Sequence, residues 1–227
     1  MFNIIIPTYN EKDNISTLIK MVECTFIINN DYKIIIVDDG STDGTREVVS
    51  SFKNVVLLCR PCKMGLGSAY KFALPSCTYP YTFILDADLS HDPLFMHEMI
   101  KIQKKTGSDI VSSTRYKNGG VYGWSFCRKL VSRGANNFAK ILLNLSTSDL
   151  TGSYRLYKTT VLKSLINQAS SVGYSIQMEL IYYAEKNNYK ITECPIIFYE
   201  REAGESKLSK KEIINFVKSV INLYFHK

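Results

Sequence analysis

A chain of 227 residues is long enough for one large domain with an extensive core. Apolar residues make up 45% of it, with 12 Gly, 6 Pro and no repeat or low-complexity tract, which excludes disordered, collagenous and solenoid proteins. A formal charge of +7 suits an anionic partner, without choosing among nucleic acid, a phosphorylated small molecule and a membrane surface.

The opening "MFNIIIPTYN" has no basic segment leading into a long apolar one, and no apolar run reaches the ~18 residues of a membrane span. A cytosolic or peripheral protein is expected. The six cysteines follow no framework spacing, as in a reducing compartment. The C-x-x-C of "CRPC", Cys59 to Cys62, has no second pair or nearby His to complete a zinc site, so it reads as structural.

In chain order, "NIIIP", "KIIIVDD", "NVVLLC" and "YTFILDAD" are short runs rich in Ile and Val. Helical patterns at about 13–29, 43–52, 66–77 and 93–105 separate them. Alternation of buried strands and helices predicts an α/β fold, a Rossmann-like, mostly parallel sheet flanked by helices. Beyond residue 120 the spacing predicts a helix at 125–144, a strand in "GSYRLY" and a helix in "SIQMELIYYAEKN". A strand in "KITECPIIFYE" and an amphipathic helix at about 210–226 complete the chain, and no linker divides the single domain of residues 1–227.

Polar residues gather where the strands end: Thr8 to Glu11, then Asp38 and Asp39, then Asp86 and Asp88. Ligands of open α/β sheets bind outside the carboxyl ends of the strands, so these loops are expected to share one crevice. Asp86 and Asp88 form a D-x-D whose hard oxygens can hold Mg²⁺ or Mn²⁺ against a diphosphate. The plainer alternative is a solvated loop that caps the helix starting near Pro93. Asp38 and Asp39 can accept ribose hydroxyls or a base N–H, while Asp43 caps a helix. "KMGLGSAY" offers a cation and close backbone approach, but matches neither phosphate-loop fingerprint. Arg115, Arg128, Arg133, Arg201 and Lys207 would singly be solvated; gathered in one site they suit two phosphate-bearing ligands.

The motifs "PTYNEKDNI", "IIVDDGSTDGT", "DADLSHDP", "STRYKNGGVYGW", "RKLVSRGAN", "SDLTGSYRLYK" and "GESKL" occur in this order. In this the chain resembles the dolichol-phosphate mannosyltransferases, family-2 glycosyltransferases with the GT-A fold, from about residue 3 onward. The resemblance implies transfer of mannose from GDP-mannose to dolichyl phosphate with inversion, making a mannose donor for glycosylation and GPI-anchor synthesis. It implies that Pro7, Tyr9, Glu11, Val37 and Asp39 contact the nucleotide. Asp86, Ala87 and Asp88 would hold nucleotide and metal, and Arg115, Arg201 and Lys207 phosphate. Some relatives carry Gln two residues past the D-x-D; here Ser90 stands there, with His91 or water as alternatives for that ligand place. Arg128 or Arg133 would join Arg115 at the acceptor phosphate. The short eukaryotic type implies peripheral attachment at the cytoplasmic face of the endoplasmic reticulum through small membrane subunits.

Two other classes fit less well. A sugar nucleotidyltransferase would open on a Gly-rich phosphate loop, where this chain reads "IIIPTYNEKDN". An RNA-binding module would show interleaved aromatic and basic residues, and no nucleic-acid partner is expected.

Overall fold

Ile4, Ile5 and Ile6 are all fully buried in β1 (Phe2–Thr8), which requires cover on both faces of the strand. The computed structural model, which describes residues 1–26, 32–200 and 210–225, supplies that cover with two layers of helices. Successive strand residues point to opposite faces. Ile4, Ile6, Ile34, Ile36 and Phe83 therefore meet α1 (Lys12–Thr25), α2 (Thr45–Ser50) and α4 (Phe95–Thr106). On the other face, Ile5, Ile35, Val37 and Ile84 meet α3 (Leu66–Ala73), α6 (Thr159–Gln168) and α7 (Ile176–Lys186).

The main sheet holds β1, β2 (Tyr32–Asp38), β3 (Val55–Cys59), β4 (Tyr81–Ile84), β5 (Ile110–Thr114), β7 (Arg155–Lys158) and β8 (Ile191–Pro195) in the order β3-β2-β1-β4-β7-β5-β8. Only β7 runs antiparallel, with Arg155 opposite Ile84 of β4 and Ser112 of β5. A second, two-stranded sheet pairs β6 (Gly120–Val121) with β9 (Ile197–Phe198) in parallel. The single strand expected over "KITECPIIFYE" is thus two. The Ile196 N–H bonds the Thr114 carbonyl at 3.1 Å, and its carbonyl then turns to the Gly120 N–H at 2.9 Å.

β5, α6 and the two-residue β6 escaped sequence reading. In β5, "IVSST", only two residues are apolar, yet all five are buried. α6 carries Val161, Leu162, Leu165 and Ile166 at helical spacing and gave a usable signal.

The helix expected at 125–144 is α5 (Phe126–Leu143), started by Ser125, whose hydroxyl accepts the Arg128 N–H at 3.3 Å. The last helix, α8 (Lys210–Phe225), divides its apolar residues. Val220 and Leu223 are buried against Ala139, Leu143, Met178, Ile181 and Tyr182, whereas Ile213, Ile214, Ile221, Tyr224 and Phe225 are exposed. Packing on the chain's own core and an open apolar face are therefore both present. Among the described residues no helix is long and apolar enough to cross a membrane. Leu223→Ala should cost about 2–5 kcal/mol in urea unfolding, whereas Ile214→Ser should stay within about 0.5 kcal/mol. Equal losses would contradict this division.

Candidate active site

β4 ends at Ile84, the Leu85 N–H still bonds the Ile5 carbonyl of β1 at 3.1 Å, and the chain then carries Asp86, Ala87 and Asp88 beyond the carboxyl end of β4. Leu89 then adopts φ +60°, unusual for a residue with a branched side chain. This turn folds the loop back, and the Ser90 N–H reaches Asp88 Oδ1 at 3.2 Å. Asp92, rather than either D-x-D carboxylate, serves the start of α4, accepting the Leu94 N–H at 2.9 Å. The D-x-D pair is not consumed in capping.

Asp86 Oδ2 accepts the Ser153 hydroxyl at 2.6 Å and lies 3.9 Å from Nδ1 of His91. His91 is 2% exposed, its ring set between those of Tyr154 and Phe198, and burial pushes its pKa down against the pull of Asp86 and Asp88. Tyr199 N–H bonds the Ser90 carbonyl at 3.1 Å, so the acidic loop is stitched to the segment that follows β9. Two hard carboxylates with the buried Ser90 beside them fit a divalent cation of the Mg²⁺ or Mn²⁺ type by donor chemistry. Among the described residues no group of three or more His, Cys, Asp and Glu side chains is arranged to hold a metal. Ser90, His91 or water are the alternatives for a further ligand beside this pair.

At the ends of β1 and β2 the carboxylates have structural partners. Asp38 is fully buried; burial alone would raise its pKa, but Ser41 and Arg46 hold it below the ordinary value. Asp39 ion-pairs with the buried Arg60, and its Oδ2 accepts the Met64 and Gly65 N–H groups, both at 3.2 Å. Asp39 thus organises the "KMGLGSAY" loop. Gly65 there has φ +92°, and a Cβ would stand 2.5 Å from the Val172 carbonyl oxygen. Lys63 of the same loop places its ammonium 4.8 Å from the centre of the Tyr9 ring. Glu11 is nearly buried and accepts the Asn14 side-chain N–H at 2.8 Å, while Asp43 accepts the Lys12 and Thr45 N–H groups that open α1 and α2. Pro7 is half-buried on β1 opposite Val37. The side chains of Val37 and Ala87 lie in the core, so these two residues offer a ligand main chain only.

The cations form a separate pocket. Arg115, Tyr116, Gly119, Gly120, Val121, Trp124, Lys129 and Arg133 line a cavity of about 210 Å³. Arg115, 8% exposed, gives Nε and Nη2 to the two Asp149 oxygens at 2.7 and 2.8 Å, and Nη2 also to Thr151 at 2.7 Å. Burial lowers the Arg115 pKa, but Asp149 more than compensates and raises it. Phe198 lies between this pocket and the acidic loop, 5.4 Å from the Arg115 guanidinium and 5.0 Å from the His91 ring. Arg133 is exposed at the rim, and Arg128 pairs with Glu200 at 3.0 Å. The sequence had singled out Arg115 and Arg133 but not Lys129, one of several charges on a helix face, nor the supporting Arg60, Asp149 and Ser153. Arg201 and Lys207 lie outside the described residues.

Asp149 is fully buried; burial raises its pKa, but Arg115 outweighs that and holds it below the usual carboxylate range. The pair's contribution is therefore complete above the unfolded carboxyl's pKa of about 3.9 and is lost as pH falls through the lower folded value. Asp149→Asn should cost about 3–5 kcal/mol at neutral pH by leaving a buried charge unpaired. The gap in melting temperature between the two proteins should narrow in acid. Parallel curves down to about pH 2 would contradict the assignment.

The polyprenol monophosphomannose synthase of Mycolicibacterium smegmatis is 33% identical over 222 residues, covering 92% of this chain and 82% of that protein. The dolichol-phosphate mannosyltransferase of Pyrococcus furiosus is 34% identical over 229 residues, covering 97% of this chain and 63% of that protein. Glucosyl-3-phosphoglycerate synthase of Mycobacterium tuberculosis, solved with UDP, superposes with a TM-score of 0.76 at 17% identity, covering 99% of this chain and 80% of that one. The same synthase solved with Mn²⁺, UDP-glucose and phosphoglyceric acid also gives 0.76, at 16% identity and the same coverage. These likenesses establish the GT-A fold. The sequence pattern described as glycosyl transferase family 2 matches residues 3–166. With this fold, that pattern and relatives alike over almost its whole length, the chain belongs to glycosyl transferase family 2.

Proposed function

We propose that this glycosyltransferase moves mannose from GDP-mannose to dolichyl phosphate with inversion, at the surface of a membrane. The observation that carries the lipid-phosphate acceptor is the continuity of the cationic pocket with apolar surface. Lys129 and Arg133, which line the pocket, stand on α5 beside Phe126, Leu130, Val131, Phe138 and Ile141, all exposed and extending to the far end of the helix. Phe126 and Ile141 are 79% and 80% exposed, a state that water alone does not favour. An amphiphile with a phosphate head and a prenyl tail matches both features. The names of the two relatives describe such acceptors.

The donor is assigned to the acidic side. Asp86 and Asp88 would hold Mg²⁺ or Mn²⁺ against the diphosphate, with Ser90 as a further oxygen donor, and the ion would neutralise charge on the departing nucleotide. Ser153 fixes the Asp86 carboxylate so that its position does not relax during transfer. Tyr9, Lys63 and the loop bound to Asp39 would face the nucleotide, with Arg201 and Lys207 at its phosphates. A phosphate monoester carries about −1.5 to −2 charge at neutral pH, so the acceptor needs no base to become a nucleophile. Arg115 and Arg133 orient it opposite the leaving group, which makes an α-linked donor yield a β-linked product. The membrane subunits and the endoplasmic reticulum remain part of the proposal, with the open face of α8 as the contact.

A product assay offering GDP-mannose, GDP-glucose and UDP-glucose to dolichyl phosphate tests the reading. Mannosyl lipid should form, and Phe126→Ser with Ile141→Ser should raise KM for dolichyl phosphate several-fold while leaving KM for farnesyl phosphate unchanged. Product from UDP-glucose alone would replace the donor assignment. Equal effects on both acceptors would remove α5 as the lipid path.

A further inference from the structure

Glu200 is held against the rim of the cationic pocket at three points. Its backbone N–H bonds the Tyr122 carbonyl at 3.1 Å. Its Cβ lies where residue 123 can carry no side chain: a Cβ on Gly123, at φ +88°, would stand 2.7 Å away. Its carboxylate meets Nη1 of Arg128 at 3.0 Å. Arg128 in turn lies 4.1 Å above the ring of Trp124, and that indole also lines the pocket. A guanidinium this close to an indole ring keeps its N–H groups for oxyanions. Glu200 takes one of them, Nη1.

Two anions near this pocket, Asp149 and Glu200, differ in accessibility. Asp149 is fully buried with Arg115 and is permanent, whereas the Arg128 and Glu200 side chains are 36% and 48% exposed. Pairs so exposed are weak and readily exchanged. A phosphate monoester, with nearly two charges, can displace a carboxylate that carries one. Once glycosylated, the phosphate is a diester with a single charge and loses that advantage.

We propose that Glu200 is an internal competitor for Arg128: a carboxylate that the acceptor's phosphate monoester displaces and that returns when the phosphate becomes a diester, promoting product release. The inference rests on the lipid-phosphate reading above and extends it to the step after transfer. Any ligand needing Arg128 pays the same factor for displacing Glu200, and the weaker-binding diester is the one driven off.

The test uses farnesyl phosphate as acceptor and methyl farnesyl phosphate as a diester inhibitor, with binding followed by titration calorimetry. Glu200→Gln should lower the acceptor KM and the diester Ki together, each by about threefold to fivefold, and kcat should fall as product is retained. Glu200→Asp, one methylene shorter, should move all three the same way and carries the test if the Gln variant unfolds. In an Arg128→Met background the Glu200 change should have no effect. An unchanged or raised KM in Glu200→Gln, with wild-type behaviour restored by Asp, would make Glu200 merely structural. Absence of saturable farnesyl phosphate binding by the unaltered protein would overturn the acceptor reading itself.

Discussion

The reversed direction of β7 is the constraint on which the site depends. Because β7 runs antiparallel between β4 and β5, the segment entering it arrives at the ends from which those two parallel strands leave. That segment carries Asp149, which holds Arg115 just beyond β5, and Ser153, which holds Asp86 just beyond β4. One stretch of five residues thereby positions both the acidic loop and the cationic pocket. Arg155, the first residue of β7, is fully buried and fixes the segment from beneath, bonding the Leu150 carbonyl at 3.1 Å, the Gln177 carbonyl at 2.6 Å and the Ser112 hydroxyl at 3.1 Å.

The second sheet performs the complementary task. β9 pairs with β6, bridges His91 and places Phe198 between His91 and Arg115. The acidic loop cannot move far without disturbing the wall of the cationic pocket. An apolar ring between opposite charges keeps them from collapsing into an ion pair, which would leave neither available to a ligand.

Much of the first half was legible because parallel strands covered on both sides need unbroken apolar runs, and "NIIIP" and "KIIIVDD" supply them. The acidic crevice was legible for the same reason: a strand's end is visible where its apolar run stops at Asp38 or Asp86. β5 was not, because Ser112, Ser113 and Thr114 look solvated in sequence but satisfy their polar groups inside the sheet. Asp149, Ser153 and Arg60 were equally silent. Their partners are distant in the chain, from 21 residues between Arg60 and Asp39 to 67 between Ser153 and Asp86, and no local pattern encodes such pairs. For α8, helical spacing revealed the apolar residues but not which of them α5 and α7 would cover.

The central claim is that donor and acceptor bind on opposite sides of Phe198. Steady-state kinetics of Arg133→Met with GDP-mannose and farnesyl phosphate test it most directly, since this exposed side chain can be shortened without opening the core. The account predicts a rise of about tenfold in the acceptor KM, the loss of one charge-assisted contact, with the donor KM essentially unchanged. A rise in the donor KM with the acceptor KM unmoved would contradict it.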